Sequence, residues 1–125
     1  MASRLTVNNL TRGHRLVRCG RIADNLPTRV VGLLLDSTLA EGGGLWIIPC
    51  NSIHSIGMRF VFDAVFLDKH LRVVHLVQEM KPWRISKMIF SSHSVLEIPP
   101  GLISQSGTEV GDQLEMRKEH FPGRV

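Results

Sequence analysis

Cysteine is scarce in this 125-residue sequence: the only two, Cys19 and Cys50, form no Cys-x-x-Cys pair. This spacing argues against a zinc ribbon, a redox dithiol or a disulfide scaffold, and we expect two buried structural thiols. Long apolar runs are also missing, since no window of about 18 uncharged apolar residues exists to cross a bilayer. The first residues lack the apolar segment and the small-residue cleavage site of a secretory signal. We therefore expect a cytoplasmic protein with no membrane partner.

Composition is that of a globular protein, with 43% hydrophobic and 21% charged residues. No internal repeat or low-complexity segment interrupts it. At this length one domain spanning residues 1–125 is the natural prediction, and the chain is long enough to bury a core.

Positive charge is concentrated near the N-terminus, where the first 30 residues hold six of the 15 Lys and Arg residues and one of the 11 acids. Such a region can contact phosphates. However, these arginines alternate with aliphatic residues, and no aromatic residue accompanies them as a stacking platform. A solvated edge strand is the better interpretation, and a nucleic-acid partner is not expected.

Many short strand patterns and few helical ones predict a β-rich α+β fold. The segment 59–68 is apolar on both faces of an extended chain, which is typical of a central strand, and residues 72–77 return as its hairpin partner. An apolar stripe predicts one main helix at about 26–35, and a second, short helix is expected at about 101–106. The predicted shape is a compact antiparallel or mixed β sandwich, or a partly closed barrel.

A family resemblance rests on separated motifs that agree in order: GLWIIPCNSIHSIGMRF, FDAVFLD, RVV, KPWR, VLEIPPG and VGDQL. On these motifs the chain resembles domain-of-unknown-function family 192, over a core of about residues 14–117, which leaves 118–125 as a frayed tail. The resemblance implies a β-rich fold with a helix after the first strands, and no agreed activity. It also implies a hairpin glycine where Leu71 stands. Because a leucine is strained in a left-handed conformation, we expect a different turn there.

The family pattern also draws attention to a group of polar and aromatic positions within this core. They are His54, Met58, Arg59, Asp63, Trp83, Arg84 and Glu97. One interpretation is an internal salt-bridge network that fixes the sheet, because buried charges need partners. The other is a polar cleft that accepts a small anionic or polar ligand. Its predicted lining is His54, Met58, Arg59, Asp63, Trp83 and Arg84, with Cys50 and Glu97 in support.

Two other function classes stay open at this point. A hydrolase-type enzyme would use Cys50 as nucleophile and His54 as base, although no nucleophile elbow or triad pattern is present. A protein-interaction domain would show an exposed apolar patch and a purely structural polar cluster. The histidines show no ligand spacing such as His-x-His, so neither a metal nor another cofactor is predicted.

Overall fold

Seven strands and one short helix make up the described part of the chain. The computed structural model describes residues 2–24, 41–55 and 60–121. The elements are β1 (Ala2–Asn9), β2 (His14–Ala23), β3 (Leu45–Ile47), β4 (Phe62–Leu67), β5 (Val73–Met80), β6 (Ser94–Ile98), α1 (Leu102–Ser106) and β7 (Leu114–Phe121). Within these ranges, no helix is long and apolar enough to span a bilayer.

The strands form one mixed sheet in the order β5-β4-β6-β3-β2-β1-β7. The pair β2–β3 is parallel, and the other neighbours are antiparallel. The sheet is not closed: over the described ranges, its two edge strands approach each other only at their first residues, at an isolated bridge between Arg72 and Gln113 and the backbone hydrogen bonds around it. The prediction of a β-rich fold built on antiparallel or mixed pairing is therefore confirmed.

The centre of the sheet is buried on both faces, because every residue of β4 and β6 is buried. On one face, Val65 and Leu96 join the larger core, which also holds side chains of β1, β2 and α1. On the other face, Phe62, Phe66 and Val95 pack with the loop residues Cys50 and Ile53. The continuous apolar pattern of β4 thus produced the central strand that it predicted.

Both ends of the chain differ from the prediction. β1 is not an edge strand, since it lies between β2 and β7. The predicted frayed tail at 118–125 includes residues that belong to the sheet, because Lys118 pairs with Leu5 and the ladder continues to Phe121 opposite Ala2. Backbone hydrogen bonds to β1 hold this polar stretch in the sheet, although its sequence carries little strand signal. Residues 122–125 lie outside the described residues.

Of the two predicted helices, the described residues contain one. Helix α1 covers Leu102–Ser106 and ends at Gly107, whose φ of 70° supplies the left-handed cap expected of a glycine. The main helix predicted at 26–35 lies outside the described residues. One thiol is also placed differently: Cys50 is buried as expected, but Cys19 is exposed on β2.

Candidate functional site

Two irregular segments, residues 50–55 and 81–93, lie side by side and form what we call the loop platform. The amide of Cys50 donates to the carbonyl of His93 at 2.9 Å, and the amide of Ile89 donates to the carbonyl of Asn51 at 2.8 Å. Further along, His54 and Ile85 form an isolated antiparallel bridge. Because backbone groups make these bonds, the platform has a defined shape without belonging to a regular strand.

Ser55 fixes one end of the platform. Its side chain is fully buried, and its hydroxyl donates to the carbonyl of Lys81 at 2.6 Å and accepts the amide of Arg84 at 2.8 Å. Its own amide donates to the carbonyl of Arg84, and its carbonyl accepts the amide of Trp83. One serine therefore pins the whole turn from Lys81 to Arg84. The sequence interpretation gave Ser55 no such role, since only the paired segment reveals its partners.

Trp83 is held in an unusual conformation by this turn. Its φ is 64°, in the left-handed region, and 65% of the residue is exposed. A bulky side chain is strained in this region. Most of Trp83 therefore faces solvent, and the residue does not close the edge of the core.

Three of the predicted site residues lie together on the platform: His54, Trp83 and Arg84. All three are exposed. The guanidinium of Arg84 makes one weak contact, at 3.5 Å, to the carbonyl of Trp83. Met58 and Arg59 lie outside the described residues. The backbone pairing of the two segments thus places His54 near Trp83 and Arg84, and Asp63 lies apart from them.

Asp63 has a different environment from the one predicted. It is fully buried in β4, opposite a β-bulge in which Gln78 and Glu79 together face it. Its two oxygens accept the amides of Glu79 at 2.8 Å and of Ile103 at 2.9 Å. Both oxygens are thus occupied by backbone donors, so Asp63 stabilises the bulge and the first turn of α1 instead of facing the platform.

A cavity of about 240 Å³ opens beside the platform, and Cys50 and His93 both line it together with Asn51 and Ser52. The Cys50 thiol donates to the carbonyl of Ser52 at 3.0 Å. In the described part of the chain, no hydrogen bond links Cys50 with His54, the base assigned to it by the hydrolase alternative. The imidazole that shares the cavity with Cys50 is that of His93. His93 lies four residues before Glu97 and is remote from Cys50 in sequence.

Glu97 lies on the opposite face of the sheet from Asp63. On β6 it is paired with Leu45 of β3 and Ala64 of β4, between two apolar neighbours. Its side chain is 5% exposed, and burial raises the pKa of its carboxyl to about 8. No described residue donates a hydrogen bond to this carboxyl. Among the described residues no ion pair joins Asp63, Arg84 or Glu97, while Arg59, the other charge at the centre of the predicted network, lies outside them.

The surface of the platform is both apolar and basic. Three further large apolar residues are strongly exposed there beside Trp83, namely Ile85, Met88 and Phe90, with exposures of 72%, 53% and 86%. The cations Lys81, Arg84 and Lys87 alternate with them, and the sequence has no acidic residue from Met80 to Leu96. Across the described ranges, no group of three or more His, Cys, Asp or Glu side chains is arranged to hold a metal ion.

Comparison with known proteins supports the resemblance drawn from the motifs. The family model described as Uncharacterized ACR, family DUF192, matches residues 8–116. The chain belongs to this family. A UPF0127 protein of Pyrococcus furiosus is 30% identical over 115 residues, which cover 88% of this chain and 97% of that protein. A UPF0127 protein of Pyrococcus horikoshii is 33% identical over 100 residues, 76% of this chain and 84% of its own.

The fold also resembles solved structures. A protein of unknown function from Novosphingobium aromaticivorans superposes with a TM-score of 0.74 at 21% identity, covering 90% of this chain and 83% of that one.

The DUF192 pattern also bears on Leu71, where it implied a glycine. We expected a different turn at this position, and that expectation is wrong, because Leu71 keeps a left-handed φ of 64°. Its side chain packs against the larger core, which offsets the backbone strain.

Proposed function

We propose that this DUF192 chain is a small binding module for an anionic or carbonyl-bearing ligand, and that the ligand binds at the loop platform. Trp83 and Arg84 are its contact residues, and His54 lies beside them. The proposal retains Met58 and Arg59 as further lining residues. Backbone amides occupy both carboxylate oxygens of Asp63. This residue therefore contributes indirectly, by fixing the bulge that precedes the platform in sequence.

The observation that carries this proposal is the strained and exposed state of Trp83. A residue in a left-handed conformation costs of order 1–3 kcal/mol unless it is glycine. Burial of the indole would offset that cost, but Trp83 is 65% exposed. The turn nevertheless holds it in place through five hydrogen bonds to Ser55. Backbone strain that packing does not offset is typical of positions that serve binding.

The charges of the platform indicate the ligand class. Lys81, Arg84 and Lys87 are exposed, and no carboxylate forms an ion pair with any of them among the described residues. A guanidinium beside an aromatic ring binds carboxylate, phosphate or carbonyl oxygens, while the ring stacks on a planar or apolar part of the ligand. The polar cavity at Asn51 and Ser52 adds hydrogen-bonding groups next to this surface.

Ligand-induced thermal stabilisation across a panel of metabolites, anions and metal ions tests the proposal. Trp83→Gly is the most informative variant, since it removes the indole and also relieves the backbone strain. We expect it to fold at least as well as the wild type and to lose the stabilisation. Arg84→Gln and His54→Ala should weaken it, whereas Arg117→Gln, an exposed arginine on β7, should not. A ligand that stabilises Trp83→Gly as strongly as the wild type would refute this site.

A second candidate function is protein interaction, favoured by the exposed apolar side chains of the platform. Ile85, Met88 and Phe90 contribute little to a small-ligand site around Trp83, yet they are more than half exposed. Exposed apolar groups that alternate with cations match a partner whose surface combines acidic and apolar residues. Peptides that alternate Glu with Leu are the probe, with Lys–Leu peptides as control, read by Trp83 fluorescence in a Trp46→Phe background. Selective binding of the acidic peptides that is lost in Phe90→Ser would favour this function.

A further inference from the structure

A second, larger cavity lies away from the platform, between β2 and the segment that leads into α1. Its volume is about 560 Å³. Three side chains of β2 line it, His14 and the cations Arg15 and Arg18, and the turn at Glu41 and Gly42 closes one side. The proposed function does not use these residues, although Arg15 and Arg18 belong to the basic N-terminal region.

Within the described ranges the two arginines of this cavity form no ion pair, unlike their neighbours Arg12 and Arg4. Arg12 forms two hydrogen bonds with Asp112, at 2.9 and 3.1 Å, and Arg4 pairs with Glu119 at 3.4 Å. Arg15 instead donates through Nε to the amide oxygen of Asn8 at 3.1 Å, which leaves its terminal nitrogens available. Over residues 2–24, 41–55 and 60–121, no carboxylate lies within ion-pair distance of Arg15 or Arg18.

Gly42 positions the guanidinium of Arg18. Its carbonyl accepts the amides of both Arg18 and Cys19 at 2.9 Å, so the turn is tied to β2. Its φ is +83°, and a Cβ atom built there would lie 2.9 Å from Nε and Nη2 of Arg18. Glycine therefore serves two purposes at this position: it adopts the left-handed conformation, and it leaves the space that the guanidinium occupies.

Glu41 and Gln105 also line the cavity, and the remaining lining is apolar. Leu16, which is 2% exposed, lines it from the sheet, and Leu102 and Pro99 line it from the segment around the start of α1. Cations above an apolar wall match a ligand that has both an anionic group and a hydrocarbon body. We propose that this cavity binds a small organic anion, a carboxylate or phosphate ester with an apolar or aromatic body. Arg15 and Arg18 bind the anionic group, and Leu16 and Leu102 contact the body.

Calorimetric titration of the full chain with three probes tests this inference: phenyl phosphate, benzoate and inorganic phosphate. We expect at least one aromatic anion to bind, and to bind at least tenfold more tightly than inorganic phosphate because of the apolar wall. The stronger of the two aromatic probes identifies the anionic group. Arg18→Gln should weaken its binding at least tenfold.

Arg21→Gln is the matched control, because Arg21 is also exposed on β2 but lines a different cavity. The affinity of Arg21→Gln for the aromatic anion should equal that of the wild type. Equal losses in Arg18→Gln and Arg21→Gln would mean that only general surface charge attracts the anion, and would overturn the inference. Absence of binding by both aromatic anions to the folded wild type would also overturn it, without bearing on the platform.

Discussion

Asp63 and Ile103 are 40 residues apart in sequence, and the carboxylate of Asp63 accepts the backbone amide of Ile103 at 2.9 Å. Helix α1 has Gly101 at its N-cap, with no side-chain hydrogen bond of its own. The distant carboxylate therefore performs the capping that a local serine or aspartate performs in other helices. Its second oxygen meanwhile accepts the bulge amide of Glu79.

Replacing Asp63 by Asn should therefore destabilise the fold by about 2–3 kcal/mol, because an amide oxygen can accept one of the two donors and the other is left facing an NH2 group. Urea denaturation measures the loss, and hydrogen exchange at the Ile103 amide should accelerate. Asp68→Asn is the control. Asp68 also accepts two backbone amides, from His70 and Arg72, but through one oxygen and at the surface. A similar loss in both variants would contradict the capping role.

The bulge itself yields a second prediction. Glu79 is exposed and has a left-handed φ of 52°, so its side chain gains no burial in return for the strain. Glu79→Gly should raise the free energy of unfolding by about 0.5–1 kcal/mol. Gln78→Gly, one residue earlier in the same strand, should lower it by about 0.5–1 kcal/mol because no positive φ is relieved there. Chemical denaturation of the pair decides the matter, and a loss of stability in both would show that the bulge is not strained.

These roles show where sequence reasoning stops. The apolar run of β4 was sufficient to predict a central strand, and Gly107 was sufficient to end α1. The role of Asp63 was not predictable, because its partners are backbone amides from a bulge and from a helix 40 residues away. Nearly every residue type carries a backbone amide, so the sequence does not identify either donor. For the same reason the family pattern placed Asp63 with His54 in one predicted cleft.

The termini illustrate the same limit in the sheet. The stretch from Lys118 to Phe121 is polar and has no alternating pattern, yet it completes β7 because β1 supplies its hydrogen bonds. The candidate platform was partly predictable: His54, Trp83 and Arg84 do come together. Ser55, which joins them, was not, since a serine beside a histidine has no distinctive signal until its partners at Lys81 and Arg84 are known.

Ser55 supplies the third prediction, on the rigidity of the platform. Ser55→Ala should cost about 1–3 kcal/mol, because the amide of Arg84 and the carbonyl of Lys81 lose their buried hydroxyl partner. The turn should also open locally, which exposes the bond after Arg84 to trypsin. Timed proteolysis read by mass spectrometry should show faster cleavage there. Ser86→Ala is the comparison: it also removes a hydroxyl that accepts an amide, that of Ile53, but at a half-buried position. Unchanged cleavage after Arg84 in folded Ser55→Ala would show that Ser55 does not hold the turn.

Glu97 is the ionisable group most affected by burial, and this makes the stability of the fold dependent on pH. Below a pH of about 4.5, the ordinary pKa of a glutamate, both the folded and the unfolded chain hold the proton. Between about 4.5 and about 8, the unfolded chain releases it while the fold retains it, because burial raises the pKa of Glu97 in the folded state. Stability should therefore fall as the pH rises through this window and should lose nothing further from this group above it.

Glu97→Gln removes this titration while preserving the shape of the side chain. At pH 8.5 the variant should be more stable than the wild type by a few kcal/mol, and at pH 5 the gap should shrink towards zero. Urea unfolding of both proteins at several pH values measures this gap, and the other titrating groups cancel in the comparison. If the gap were the same at pH 5 and at pH 8.5, the carboxyl of Glu97 would already be ionised in the fold, and a cation would have to lie against it. That result would return Glu97 to the role of a charged partner beneath the site, because an ionised carboxylate buried between Leu45 and Ala64 is stable only when it is paired.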